Sequence, residues 1–371
     1  MSAPSLYHPT AMSDDSPGPD SDSSSASRGE TSDRYLKQRR LPCIGDEGQD
    51  RLAGGRVLVV GVGALGSLIT EQLVRAGVGH LRLVDRDIVD RTNLQRQLLY
   101  TDADAEAGLP KALAAEARLR AVNREVRIES HVMDVTPSTI GGLVEGVDVL
   151  IDGTDNLETR YLLNDVAIDR ARPWVYGGCV GTFGQAAALV PGRTPCFRCL
   201  FPEPPPTDAL PTCDSAGVLG PAVHVIASLE STLAMRLLVD GPTNVPSAML
   251  TADPWAGTFR RVELGEPASD CPACQRRELE WLSGERTPAA VSLCGRNTVQ
   301  IAAPAAGFEL PQIVERLEQD GAVEQTRFLV RWHPRERPGW RVTLFRDGRT
   351  LIEGTDDVAA ARAFHARFIG S

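Results

Sequence analysis

Several groups of residues in this chain have the types and spacing to do chemistry. The first is Gly61-Val62-Gly63-Ala64-Leu65-Gly66, which follows a β-branched apolar run and opens an apolar helical segment. Glycines at these intervals permit a tight turn, close approach of backbone N–H groups to a phosphate, and close packing of helix on strand. Asp85 ends the next apolar run, where an acid commonly bonds ribose hydroxyls. Loop and acid together suit a nicotinamide or flavin oxidoreductase as well as an adenylating enzyme, and glycines serving packing alone would look the same. A second group shifts the balance. Asn93-Leu94-Gln95-Arg96-Gln97 comes soon after Asp85, and Gly108-Leu109-Pro110-Lys111 opens another helical segment. Arg96 and Lys111 are cations able to converge on a triphosphate cradled by the loop, whereas a dinucleotide carries only a pyrophosphate. Alone, each reads as a surface charge. Asp152 and Asp155 lie just past a buried strand, where ligands bind in open α/β sheets. A carboxylate there can hold Mg2+ between phosphates, or it can form an Asx-type turn capping the helix from Leu157.

The cysteines form a third group. Cys196-x-x-Cys199 and Cys271-x-x-Cys274 supply four thiolates, the donor set of a tetrahedral zinc site. Their separation leaves a single shared site undecided by spacing; a redox-active C-x-x-C competes, but two such pairs weigh against it. Cys213 stands apart, after a proline-rich stretch and before a helix. A helix N-terminus acidifies a nearby thiol, and the adjacent Asp214 opposes that effect. Cys43 and Cys179 read as packing residues, and Cys294 as either a structural residue or a sulfur carrier.

These groups need elements to position them. The chain of 371 residues is long enough for two ordered domains of roughly 100–200 residues each. Its net charge of −10 argues against nucleic acid as a main partner, because phosphate binding needs a basic surface. No uninterrupted apolar run approaches the roughly 20 residues that span a bilayer, and the first residues lack a secretory pattern. A cytoplasmic protein with no membrane partner is therefore expected, and eight cysteines at this length do not suggest a disulfide scaffold. Residues 1–33, rich in Ser, Asp, Pro and Gly, are expected to be a disordered tail. Residues 34–283 alternate strands (56–60, 80–84, 126–128, 147–151) with helices (67–76, 111–122). That alternation predicts an α/β fold with a Rossmann-like, mostly parallel sheet covered by helices on both faces. Residues 174–191 read as a hairpin, an antiparallel extension near the cysteine pairs, and a helix is expected over about 223–239. Residues 284–305 are expected as a linking segment, and 306–371 as a small α/β domain. That domain has helices at 310–319 and 358–368, strands at 328–332, 340–345 and 350–354, and an Asp347-Gly348 turn.

Arg34-Tyr35, Gln38, the glycine loop, Asp85, the Asn93–Gln97 and Gly108–Lys111 segments, Thr154-Asp155-Asn156 and both cysteine pairs occur in the order of one family. Over about residues 34–283 the chain resembles the ThiF/MoeB/HesA family, relatives of the ubiquitin-activating enzymes. The resemblance implies a homodimer that uses ATP to adenylate the C-terminal carboxylate of a small ubiquitin-like or sulfur-carrier protein ending in Gly-Gly. By position, Gly61, Gly63 and Gly66 would wrap the phosphates, Asp85 would take the ribose, and Asn93, Arg96, Gln97 and Lys111 would address the triphosphate. Asp155 and Asn156 would serve the Mg2+-linked adenylation step, and Cys196, Cys199, Cys271 and Cys274 would hold structural Zn2+. Cys213 resembles the loop cysteine that in some members forms a thioester or acyl-disulfide with the carrier. The acyl-adenylate would then pass to a sulfur donor, such as a cysteine desulfurase, or through a thioester to a lysine. One departure stands out: Lys37 occupies the place of an arginine that reaches into the partner subunit's site, leaving Lys37, Arg39 or neither for that role. The C-terminal domain shows no matching sulfurtransferase loop and is expected to dock a partner. Adenylation of a different carboxylate and a non-catalytic relative are the alternatives.

Overall fold

The computed structural model describes residues 33–205, 213–286, 290–293, 297–301, 310–326, 328–346 and 348–370. The expected tail lies almost wholly outside them. The first sheet begins with β1 (Arg56–Val60), followed by helix α1 (Ala64–Ala76), β2 (His80–Val84) and α2 (Lys111–Val122). It continues through β3 (Arg127–His131), α3 (Pro137–Val144), β4 (Val149–Asp152), α4 (Leu157–Arg170), β5 (Trp174–Val180) and β6 (Phe183–Leu189). The long helix α5 (Gly220–Val239) precedes β7 (Ala248–Asp253) and β8 (Thr258–Glu263). The strand order is β3-β2-β1-β4-β5-β6-β7-β8, parallel from β3 to β5 and antiparallel beyond.

β1 explains why this sheet must be covered twice. Val57 and Val59 point into one core with Leu68, Ile69 and Leu73 of α1, and Leu58 and Val60 point into the other with Tyr161 and Val166 of α4. A strand apolar on both sides is stable only between two helical layers. The chain leaves β1 toward β2 on one side and returns to β4 on the other, so the strand order reverses between β1 and β4. That reversal opens a crevice at the carboxyl ends of the two strands.

α5 is long and apolar enough, by length and composition, to cross a membrane. Here it lies against α1, β5 and β6, and Val223, Ile226, Ala227, Leu233 and Leu237 sit in the larger core.

A second sheet follows, in the order β11-β12-β13-β14-β10-β9. It is built from β9 (Ala290–Leu293), β10 (Thr298–Ile301), helix α6 (Leu310–Asp320), β11 (Gly321–Gln325), β12 (Leu329–Pro334), β13 (Arg341–Phe345), β14 (Thr350–Glu353) and helix α7 (Val358–Phe368). Residues 284–305, expected as a linking segment, thus contribute two strands to it: Val299 pairs with Ile352 and is fully buried with Trp332 and Leu344. Each of the two strands is four residues long, too short to show alternation clearly. Gly348 takes φ +88° in the turn before β14, and Asp347 lies outside the described residues.

Candidate active site

The crevice between β1 and β4 is shaped by glycines with different duties. Gly61 has φ +84°, and a methyl group there would stand 2.8 Å from the Gly153 oxygen. A methyl on Gly66 would fall 1.9 Å from the Gly61 oxygen, so these two positions are demanded by packing of α1 and β4 on the turn. Gly63 differs: a methyl there would meet only the Gln97 amide nitrogen, at 3.8 Å. Gly63 also caps α1 without any side-chain hydrogen bond. Its surroundings leave backbone N–H groups and the positive end of a 13-residue helix facing the crevice, an arrangement that attracts phosphate.

Asp85, at the end of β2, braces this turn. One carboxylate oxygen accepts from Val62 N and the other from Asp87 N, each at 2.7 Å, and the Tyr100 hydroxyl donates to Val62 O at 2.6 Å. Burial pushes the Asp85 carboxyl up, against the pull of Lys111. Lys111 opens α2 and is itself buried; its Nζ lies 3.0 Å from Asp87 Oδ2. Burial works against its charge, but Asp87 and Asp85 together hold it above the ordinary lysine value. Asp155 adds its negative field to Lys111, Arg86 and Arg160.

The Asn93–Gln97 segment is bonded into itself. Asn93 Oδ1 accepts from the Gln97 amide at 2.8 Å and from Arg96 at 3.4 Å, and Arg96 also donates to Thr92 O at 3.0 Å. Arg96 is therefore held by its own turn, and no contact joins it to Lys111. Asn156 caps α4, its oxygen accepting from Glu158 N at 2.9 Å, so the helix-capping duty falls to it. Asp152 is fully buried, taking Arg160 Nε at 2.7 Å and Thr154 N and Oγ1 at 2.9 and 2.7 Å. These bonds engage Asp152 with Arg160 and Thr154, while Asp155 acts through its field on Lys111, Arg86 and Arg160.

Cys213 begins the short helix Cys213–Ala216, and its side chain lies outside the described residues, as does all of Cys294. The backbone after Cys213 is anchored: Gly181 N donates to Gly217 O at 2.9 Å and Leu219 N to Gly181 O at 2.8 Å. Gly220 then sits against Gln95 O, which brings this stretch beside the Asn93–Gln97 segment. Lys37 is exposed, and Arg39 pairs with Asp46 at 3.4 Å. Cys43, read as a packing residue, is exposed instead.

The two cysteine pairs meet. All four Sγ atoms lie within 4.8 Å of one another, with separations of 3.7 Å (196–199), 3.6 Å (196–271) and 3.5 Å (199–274). Four thiolates about 2.3 Å from a tetrahedral zinc stand about 3.8 Å apart, so this donor set fits the ion. Burial and its thiol neighbours raise Cys196 far above its ordinary value, and burial first among causes pushes Cys274 up to about 12.

Sequence reasoning missed Arg86, Asp87 and Arg160, the charges that surround Lys111 and the two acids. Asp85-Arg86-Asp87 at a strand end was the available sign: three charges in succession where an apolar sheet stops.

A model of the ThiF family matches residues 35–273. The sulfur carrier protein ThiS adenylyltransferase of Bacillus subtilis is 40% identical over 344 residues, covering 91% of this chain and 99% of that one. The SAMP-activating enzyme E1 of Haloferax volcanii is 41% identical over 242 residues, covering 65% of this chain and 88% of its own. The sulfur carrier protein adenylyltransferase of Thermus thermophilus is 39% identical over 247 residues, covering 65% and 90%. Among solved structures, E. coli MccB with MccA-N7isoAsn shares the fold at a TM-score of 0.58 and 18% identity, over 67% of this chain and 76% of that one.

Proposed function

The chain belongs to the ThiF family, and we propose that it adenylates the C-terminal carboxylate of a small ubiquitin-like sulfur carrier, using ATP, and passes the activated acyl group on for sulfur transfer. The observation that carries this reading is the uncrowded backbone at Gly63 in the crevice, together with a buried Lys111 that is paired with Asp87 and lies in the field of Asp155. The names and near-complete match of the Bacillus relative supply the substrate class.

A carboxylate attacks the α-phosphorus of ATP, the bond to pyrophosphate breaks, and an acyl-adenylate forms. The attacking group is already ionised at neutral pH, so no general base is needed. The protein's task is positioning and charge neutralisation. In this reading the N–H groups at Gly63 and the start of α1 hold phosphate, Asp85 bonds ribose, and Lys111 swings from Asp87 to the triphosphate. Gln97, buried beside Gly63, and Arg96 join when the nucleotide fills the crevice. Asp155 would hold Mg2+, which supplies further neutralisation of the phosphates. The four cysteines would hold Zn2+ away from the chemistry, in the antiparallel half.

The Cys213 thiol then attacks the acyl-adenylate: a C–S bond forms, the C–O bond to AMP breaks, and the thiol proton goes to solvent. A sulfur donor, such as a cysteine desulfurase, would act on the same activated carbonyl. A soluble cytoplasmic homodimer completes the proposal. The carrier's docking face in this reading is β8 with the turn before it, where Trp255 is 79% and Phe259 64% exposed at a sheet edge.

ATP–pyrophosphate exchange with candidate carriers ending in Gly-Gly tests the proposal. Exchange should require one carrier, fall at least about a hundredfold in Asp155→Ala, and persist in Cys213→Ala. No exchange with any carrier would overturn it, and exchange supported by an unrelated carboxylate would reassign the substrate.

A further inference from the structure

The second sheet reaches the nucleotide crevice. Gln300 of β10 donates its amide to Asp134 Oδ2 at 2.8 Å, and both oxygens of Asp134 accept from one Arg86 nitrogen at 3.2 Å. Arg349, buried and stacked 3.7 Å over the Phe345 ring, donates to the main-chain oxygen of Arg86. Arg331 of β12 lies against Gly108, where a methyl group would come 3.2 Å from its guanidinium. The C-terminal body therefore touches the chain just after Asp85 and just before Lys111, on either side of the lysine's partner Asp87.

Arg86 is the residue that transmits this contact. Its Nε is 3.9 Å from Asp87 Oδ1, while Lys111 Nζ is 3.0 Å from Asp87 Oδ2. One carboxylate is thus shared between two cations, and Asp155 bears on both. Were Arg86 to drift from Asp87, the whole attraction of that carboxylate would fall on Lys111. The lysine is buried, so the attraction is weakly screened, and moving it onto a phosphate would cost more.

We propose that the C-terminal body is a working part of the adenylation site: by fixing Arg86 through Gln300–Asp134 and through Arg349, it shares out the charge of Asp87 and keeps Lys111 available to the triphosphate. Gln300 and Arg349 are positioning residues in this account, acting through Arg86. The proposal rests on the reading that the β1–β4 crevice binds ATP, and it gives the C-terminal body a role in nucleotide affinity in place of carrier docking.

The test uses the full chain. ATP binding is measured by calorimetry without carrier, and KM for ATP and for carrier by pyrophosphate exchange, in wild type, Gln300→Ala, Arg349→Met and Arg349→Lys. The expected result is a loss of ATP affinity of about three- to thirtyfold in Gln300→Ala and Arg349→Met, with carrier KM unchanged. Arg349→Lys, which keeps a donor for the Arg86 oxygen, should recover part of the loss. In an Arg86→Met background, Gln300→Ala should add nothing further, because its route is gone. Unchanged ATP affinity in variants whose melting temperature matches wild type, additive effects with Arg86→Met, or a rise confined to carrier KM would each overturn the proposal. Absence of ATP binding in the wild type would instead overturn the reading of the crevice on which it rests.

Discussion

Glu230 is the residue whose surroundings ask most for an explanation. It lies mid-way along α5, fully buried, and neither of its carboxylate oxygens has a hydrogen-bond partner among the described residues. Gly177 makes room for it: a methyl group there would stand 2.0 Å from Glu230 Oε1. Burial pushes this carboxyl well above its ordinary value, Asp152 adds to the rise, and Arg160 opposes it. The folded state therefore holds the proton more tightly than the unfolded chain does. Such a group contributes stability fully present below about pH 4.5 and lost as pH rises through its folded-state value. Glu230→Gln should remove that decline, raising stability at pH 8 by on the order of 2 kcal/mol and having little effect near pH 4. Urea midpoints at the two pH values check this, and a parallel decline in both proteins would show that Glu230 is not its source. Gly63 and Gly66 teach a related lesson. Both belong to one sequence motif, but clashes show Gly66 to be required by the turn beneath it, while only Gly63 leaves space above itself.

At the scale of elements, β8 is unusual in that every one of its residues is exposed. It is the edge strand of the first sheet among the described residues, with Phe259 and Val262 exposed on its opposite faces and Trp255 exposed in the turn before it. Aromatic side chains at an open sheet edge suit a partner that brings its own sheet. Phe259→Asp should raise KM for the carrier about tenfold or more and leave ATP affinity in the absence of carrier unaltered. An unchanged carrier KM would move the docking face elsewhere. The elements of the first body were largely legible, because parallel strands apolar on both faces and glycine-marked helix starts leave strong patterns. α5 extends over Gly220–Val239, three residues earlier than its apolar run suggested, since Pro221 fits the first turn of a helix. The hairpin of β7 and β8 went unread: with β8 wholly exposed, no alternation of buried and solvent-facing residues marks it. β9, β10 and β11 escaped because four or five residues are too few to show alternation, and β10 is also paired with the distant β14.

Across the whole molecule, the cysteine cluster ties together segments 75 residues apart, from the end of β6 to the stretch beyond β8. Removing a metal from it would release that long closure and leave buried thiols crowded against one another. Chelation should lower the melting temperature by on the order of 10 °C, and readdition of zinc should restore it. Measured with metal analysis of the purified chain, a stoichiometry far from one zinc per chain would contradict the site. The second sheet joins the first at Arg86 and Asp134, so the protein's two bodies meet at the crevice edge. By itself, the sequence determined the parallel sheet, the glycine turn after its first strand, the acid at the end of the next strand and the two cysteine pairs. These depend on local pattern, on periodicity and on glycine, where each residue's neighbours in the chain dictate what it does. Only the tertiary structure decided that the cysteine pairs form one cluster, that Asp152 is buried against Arg160, and that Arg86 and Asp87 stand between the C-terminal body and Lys111. Those outcomes follow from which charges are buried together, and burial is settled by packing between segments the chain keeps far apart.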